Sequence, residues 1–146
     1  MEAKYKGIDV SKWQGDINWE KVRASGVEFA MLRAGFGRCQ GQNDTSFERN
    51  YREAKKNGIL VGAYHYSYAK TVSDAEKEAE YFLSLISGKS FEFPVAFDIE
   101  DNSQKNLSRE EISNIVEAFC GRTEKAGYFV SVYANLWWLN NKISDR

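Results

Sequence analysis

Histidine occurs once in this sequence, at position 65, and cysteine twice, at positions 39 and 120. A lone histidine has no companion for a metal site of the usual kind, and the two cysteines match no metal or redox spacing, so neither a metal nor a cofactor is expected. Cys120 shares a helical apolar face with Ile112, Val116 and Phe119. A buried thiol is therefore expected there rather than a disulfide to Cys39. No stretch approaches the roughly 18 apolar residues of a membrane helix, and the opening Met-Glu-Ala-Lys-Tyr-Lys-Gly lacks the apolar centre of an export signal. Neither a membrane partner nor a signal peptide is expected within this chain. An excess of one charge is missing as well. Lys and Arg number 20 against 21 Asp and Glu, with no basic run, so no nucleic-acid partner is expected. Gly-x-Ser-x-Gly, His-Glu-x-x-His and a Cys/His pairing near one strand end are all absent, which leaves serine, cysteine and zinc-peptidase chemistry without support. Gly35-Phe36-Gly37 has neither a third glycine nor a Walker lysine after it, and reads as loop rather than phosphate cradle.

What is present is enough for a core: 42% hydrophobic and 14% aromatic residues predict one domain over residues 1–146. The only proline, Pro94, opens the most informative stretch, Phe93-Pro94-Val95-Ala96-Phe97-Asp98-Ile99-Glu100-Asp101. Proline fits the start of a strand, and the apolar run after it suits a strand of a parallel sheet buried on both faces. Side chains alternate along a strand, so Asp98 and Glu100 share a face, with Cα atoms roughly 6.5 Å apart. Two carboxylates side by side at a buried strand end suit acid/base work, because burial and mutual repulsion push one pKa up. The same pair also fits a capping or salt-bridging cluster, and Asp-Ile-Glu alone does not separate the two.

Along the chain, strands are predicted at residues 4–10, 27–34, 59–66, 95–100 and 128–134. A short helix at 19–25 begins at the cap Asn18. Three later helices open on a Ser or Thr with Glu three residues on: Thr45 and Glu48, Ser73 and Glu76, Ser108 and Glu111. Gly26, Gly58, Gly88 and Gly127 supply the stops. Alternating strands and helices imply an α/β fold with a parallel sheet, doubly wound or closed into a barrel, and ligands in both sit at the carboxyl ends of the strands. That rim carries Asp9, Arg33, His65 or Tyr66, Asp98 with Glu100, and Tyr133, followed in the loops by Trp13 and Trp137. Acids among aromatic rings suit a carbohydrate site. His65 reads as a hydrogen-bonded pocket wall or core residue. Trp137 and Trp138 fit a stacking pair, and Trp138 with Leu139 equally fits the start of a packed helix.

Four motifs in order, Gly7-Ile8-Asp9-Val10-Ser11-Lys12-Trp13-Gln14-Gly15, Gly62-Ala63-Tyr64-His65-Tyr66, Pro94-Val95-Ala96-Phe97-Asp98-Ile99-Glu100 and Val132-Tyr133-Ala134-Asn135, resemble glycoside hydrolase family 25, the Chalaropsis-type lysozymes or N-acetylmuramidases of phage endolysins and autolysins. The resemblance implies a TIM-barrel-like (β/α) barrel whose final strands are missing from this chain, a domain incomplete at its C-terminus. An open sheet edge would then favour self-association. It also implies hydrolysis of the β-1,4 bond between N-acetylmuramic acid and N-acetylglucosamine in peptidoglycan, at the bacterial cell wall. Glu100 would be the general acid/base, Asp98 the carboxylate that orients the 2-acetamido group, and Asp9 a pocket acid. Tyr64, His65 and Tyr133 would line the pocket. The alternative is a truncated relative that binds glycan without turnover, or an assembly fragment.

Overall fold

A computed structural model describes residues 5–143. Lys4, where the first strand is predicted to begin, lies outside the described residues. Elements alternate as expected: β1 (Gly7–Val10), α1 (Trp19–Ala24), β2 (Phe29–Phe36), α2 (Phe47–Lys56), β3 (Leu60–Tyr66), α3 (Val72–Ile86), β4 (Val95–Asp98), α4 (Arg109–Lys125), β5 (Val130–Tyr133) and α5 (Leu136–Asn141). The strands are all parallel, in the order β1-β2-β3-β4-β5. A doubly wound sheet reverses its order at a switch point. This one never reverses, which is the order of a barrel wall. Among the described residues, β1 and β5 each pair on one side only.

The core lies between the sheet and the helices. Ala30, Leu32, Val61, Ala63, Val95 and Phe97 meet Phe47, Phe82, Ile86, Ile112, Ile115 and Phe119, all buried. Phe97 stacks on Phe119 with ring centroids 4.1 Å apart. Truncating such a side chain to alanine costs about 3–5 kcal/mol, so β4 is fixed from behind. Among the described residues no helix is long and apolar enough to cross a membrane. Both cysteines are free, Cys39 exposed and Cys120 half-buried, and burial pushes the Cys120 thiol up to about 12.

Helix stops follow the sequence more closely than helix starts. Gly26, Gly58, Gly88 and Gly127 have φ of 95°, 74°, 76° and 99°, the left-handed conformation that ends a helix cheaply only at glycine. Ser108 and Glu111 form the predicted reciprocal cap. The other two starts are corrected. Helix α3 begins two residues early, because Thr71 is extended and accepts from the Asp74 amide at 3.0 Å. The cap residue of α2 is Ser46, whose side chain makes no cap bond. Asp44 does that work instead, taking the Ser46 amide at 2.9 Å.

Strand β2 carries a bulge. Its register with β3 shifts between Arg33 and Gly35, so Arg33 pairs with Tyr64 and Phe36 with Tyr66. An inserted residue re-aims the side chains beyond it. Arg33 and Phe36 consequently face the same side, with the guanidinium 5.1 Å from the ring centroid.

Candidate active site

The carboxyl ends of the strands open onto a cleft of about 390 Å³ lined by Asp9, Tyr64, Asp98, Glu100, Val132, Tyr133, Ala134 and Leu139. Strand pairing explains the convergence. Tyr66, Asp98 and Tyr133 form one rung across β3, β4 and β5. Strand β4 ends at Asp98, and the Ile99 amide still donates to the Tyr133 carbonyl at 2.9 Å, so the chain stays extended for one more residue. Ile99 is wholly buried, while Asp98 and Glu100 come out together into the cleft. The spacing predicted this shared face.

Asp98 is only 8% exposed. Burial, then the charge and hydrogen bond of Glu100, then Asp9, push its carboxyl up to about 8, against the opposing pull of Arg33. Protons on such a pair belong to the pair, and here one of them is retained through neutral pH. The Oδ1 atom of Asp98 is buried with no hydrogen-bond partner. Burial and the nearby Asp9 charge also raise the phenols of Tyr64 and Tyr133, so both remain hydroxyl donors at neutral pH.

The cation beside these acids is held from outside the cleft. Arg33 Nε meets Asp44 Oδ2 at 2.8 Å, with the Asp44 side chain fully buried. The same oxygen takes the Lys12 amide at 2.9 Å. Asp44 thereby joins β2, the turn after β1 and the start of α2. No sequence signal pointed to it, because a carboxylate in a polar loop reads as solvated.

Five residues predicted at the site come together: Asp9, Tyr64, Asp98, Glu100 and Tyr133. Four do not line the cleft. His65 is a correction: alternation along β3 turns it to the helix side, where it is wholly buried against Phe82 and Phe119 at centroid distances of 5.4 and 6.0 Å. Its Nε2 donates to the Gly37 carbonyl at 2.7 Å, the hydrogen-bonded core role. Burial drops its pKa to about 4, so the ring is neutral. Tyr66 gives its hydroxyl to Asp101 at 3.0 Å. Trp13 stands 76% exposed on the turn Lys12–Gln14, with Lys12 over its ring. Trp137 is half-exposed beneath Lys105, whereas Trp138 packs into the core, so α5 is the packed helix of the two readings. Leu139, read with Trp138 as the start of a packed helix, instead lines the cleft and is half-exposed.

The chain is similar to known proteins in sequence and in fold. The chain is 34% identical over 145 residues to lysozyme M1 of Streptomyces globisporus, covering 92% of this chain and 48% of that one. It thus spans about half the length of that curated relative. A family 25 glycosyl hydrolase from Bacillus anthracis superimposes with a TM-score of 0.85 at 28% identity, over 100% of this chain and 68% of that one. The modular autolysin LytC of Streptococcus pneumoniae, solved in complex with a synthetic peptidoglycan ligand, gives 0.83 at 27% identity, over 94% and 34%. Residues 8–146 match the family described as glycosyl hydrolases family 25, and the chain belongs to that family.

Proposed function

We propose that the cleft hydrolyses the β-1,4 bond between N-acetylmuramic acid and N-acetylglucosamine in bacterial peptidoglycan. The observation that carries this reading is the Asp98 and Glu100 pair, two carboxyls side by side in an open cleft, where burial and the neighbouring acid raise the Asp98 carboxyl. Glu100, the more exposed of the two, protonates the glycosidic oxygen. Asp98 accepts the N–H of the substrate's 2-acetamido group. That hydrogen bond favours charge on Asp98 and leaves the shared proton on Glu100, where the reaction needs it. The acetamido carbonyl then attacks the anomeric carbon as the bond to the leaving sugar breaks, the substrate-assisted route to glycoside hydrolysis. Ionised Glu100 next takes a proton from the water that opens the cyclic intermediate. Tyr64 and Tyr133 donate hydroxyls to the sugar, and Asp9 stabilises the positive charge that develops on the ring. Exposed Trp13 and Trp137 offer stacking faces to glycan running beyond the cleft.

Clearing of purified cell walls, followed by turbidity, tests the reading. Glu100→Gln is nearly isosteric and removes only the transferable proton, and should lower the rate about 10²- to 10⁴-fold with the thermal melt unchanged. Equal clearing by parent and variant would rule Glu100 out as the acid. Wall binding by the parent without clearing would leave a glycan-binding role in place of hydrolysis.

A further inference from the structure

Glu78 is an acid for which the cleft has no use. It lies on α3, 1% exposed, and both its oxygens are engaged: Oε1 accepts the Ser67 hydroxyl at 2.7 Å and Oε2 the Tyr68 amide at 2.9 Å. The same hydroxyl oxygen accepts Gln104 Nε2 at 3.1 Å and the Ala69 amide at 3.1 Å. Gln104, also wholly buried, donates to the Ala69 carbonyl at 2.9 Å and accepts the Asp101 amide on Oε1 at 3.2 Å. Asp101 directly follows Glu100. A continuous buried chain therefore runs from the backbone beside the proposed acid to α3.

Every bond in that chain points the same way. The Asp101 amide donates to Gln104, Gln104 to Ser67, and Ser67 to Glu78. Both lone pairs of the Ser67 oxygen are taken, so its proton has only Glu78 to go to. The chain needs an acceptor at its far end. Position 100 is held on one side by Ile99, whose amide bonds β5, and on the other by Asp101, which this link, the Tyr66 hydroxyl and the amides of Ser103 and Gln104 fix in place.

We infer that Glu78 is a positioning residue: through Ser67 and Gln104 it holds the turn after β4 so that the Glu100 carboxyl stays beside Asp98. Its effect on rate rests on the proposed hydrolysis, whereas its effect on the turn does not. Protonating Glu78 removes the negative charge that strengthens both accepted bonds, and so weakens the link. Burial pushes its carboxyl up to about 7; the bonds from Tyr68 and Ser67 oppose that, Asp74 on α3 adds to it and Arg38 from the loop after β2 opposes it. Lys70 lines a surface pocket together with Arg38, Asp74 and Glu78, and Arg38 is paired with Asp74. The link therefore loosens as pH falls through neutrality.

Amide hydrogen exchange over residues 99–104 reads the link directly. Glu78→Gln and Ser67→Ala should each lower protection there by tenfold or more. Thr123→Val is the control, since it removes a buried hydroxyl bonded to the Phe119 carbonyl at 2.9 Å and lies outside the chain. It should lower the melt without touching residues 99–104. In the unmodified protein, protection of this turn, corrected for intrinsic exchange, should fall between pH 8 and 6, and the fall should vanish in Glu78→Gln. Wall clearing by Glu78→Gln should show kcat about tenfold lower at an unchanged half-saturating wall concentration, with a flattened acid limb, because a small displacement of a reacting group acts on the chemical step. Unchanged protection in both variants, or equal loosening by Thr123→Val, overturns the inference. Should Glu78→Gln fail to fold, Ser67→Ala and the pH series on the unmodified protein decide it. A parent that clears no walls overturns the proposed hydrolysis and leaves the exchange result standing.

Discussion

His65 and Asp98 stand on adjacent strands, one rung apart: His65 pairs with Phe97, and Tyr66 with Asp98. Both are buried, and burial suppresses the charged form of each, taking His65 down to about 4 and Asp98 up to about 8. One is inert and the other is the best candidate for chemistry. The difference is the face of the sheet. His65 points at Tyr81, Phe82 and Phe119, and its ring is bonded to the Gly37 carbonyl. Asp98 opens to a cleft and has the Glu100 carboxyl beside it. A displaced pKa marks a site only where a substrate can reach it and a second group can exchange the proton.

The largest effect that would sharpen this contrast is on Asp98. Asp98→Asn should slow wall clearing by about 10²-fold or more, and fully N-acetylated walls should lose more rate than N-deacetylated ones. Equal rates of the unmodified protein on both kinds of wall would remove the acetamido group from the mechanism.

The pH dependence of stability comes next, because the two residues pull in opposite directions. Between the ordinary 3.8 and the raised value near 8, native Asp98 holds a proton that the unfolded chain releases. Its contribution is complete below that window and is lost as pH rises through it. Glu78 acts with the same sign. Between 6.5 and about 4, native His65 lacks a proton that the unfolded chain binds, so its contribution is complete above the window and is lost as pH falls. Thermal melts from pH 4.5 to 9 should find the alkaline decline shallower in Asp98→Asn and the acid decline shallower in His65→Phe. Both variants flattening the same limb would contradict the contrast.

The smallest effect concerns His65 and activity. His65→Phe leaves the Gly37 carbonyl buried without its donor, a cost of about 1–3 kcal/mol that added apolar packing offsets in part. Clearing per folded molecule should match the unmodified protein. A loss of rate beyond the loss of folded fraction would return His65 to the site.

Much of this arrangement was legible in local sequence. Glycines at 26, 58, 88 and 127 mark helix ends because the left-handed turn is written in one residue. The shared face of Asp98 and Glu100 follows from strand alternation across a single residue. Alternation equally puts His65 on the face opposite Tyr64 and Tyr66, but the motif resemblance placed His65 in the pocket with Tyr64. Starts were harder. Thr71, with Asp74 as its third residue, competes with Ser73 and Glu76 for the same helix, and only the extended backbone at Thr71 decides between them. The remainder depends on partners distant in sequence. Asp44 reaches Arg33 across a bulge, and Glu78 reaches the turn after β4 through Ser67 and Gln104. Such links leave no periodic trace, because each residue alone fits a solvated surface.

The most direct test of the central claim is the chemistry of the ends that digestion creates. Purified peptidoglycan is incubated with the protein, reduced with borohydride and hydrolysed, and the amino sugars are separated. Cleavage by the proposed route leaves muramic acid at each new reducing end, so muramitol should accumulate with time, and Glu100→Gln should produce none above background. Glucosaminitol in its place, no new reducing ends, or equal muramitol from the variant would contradict the account.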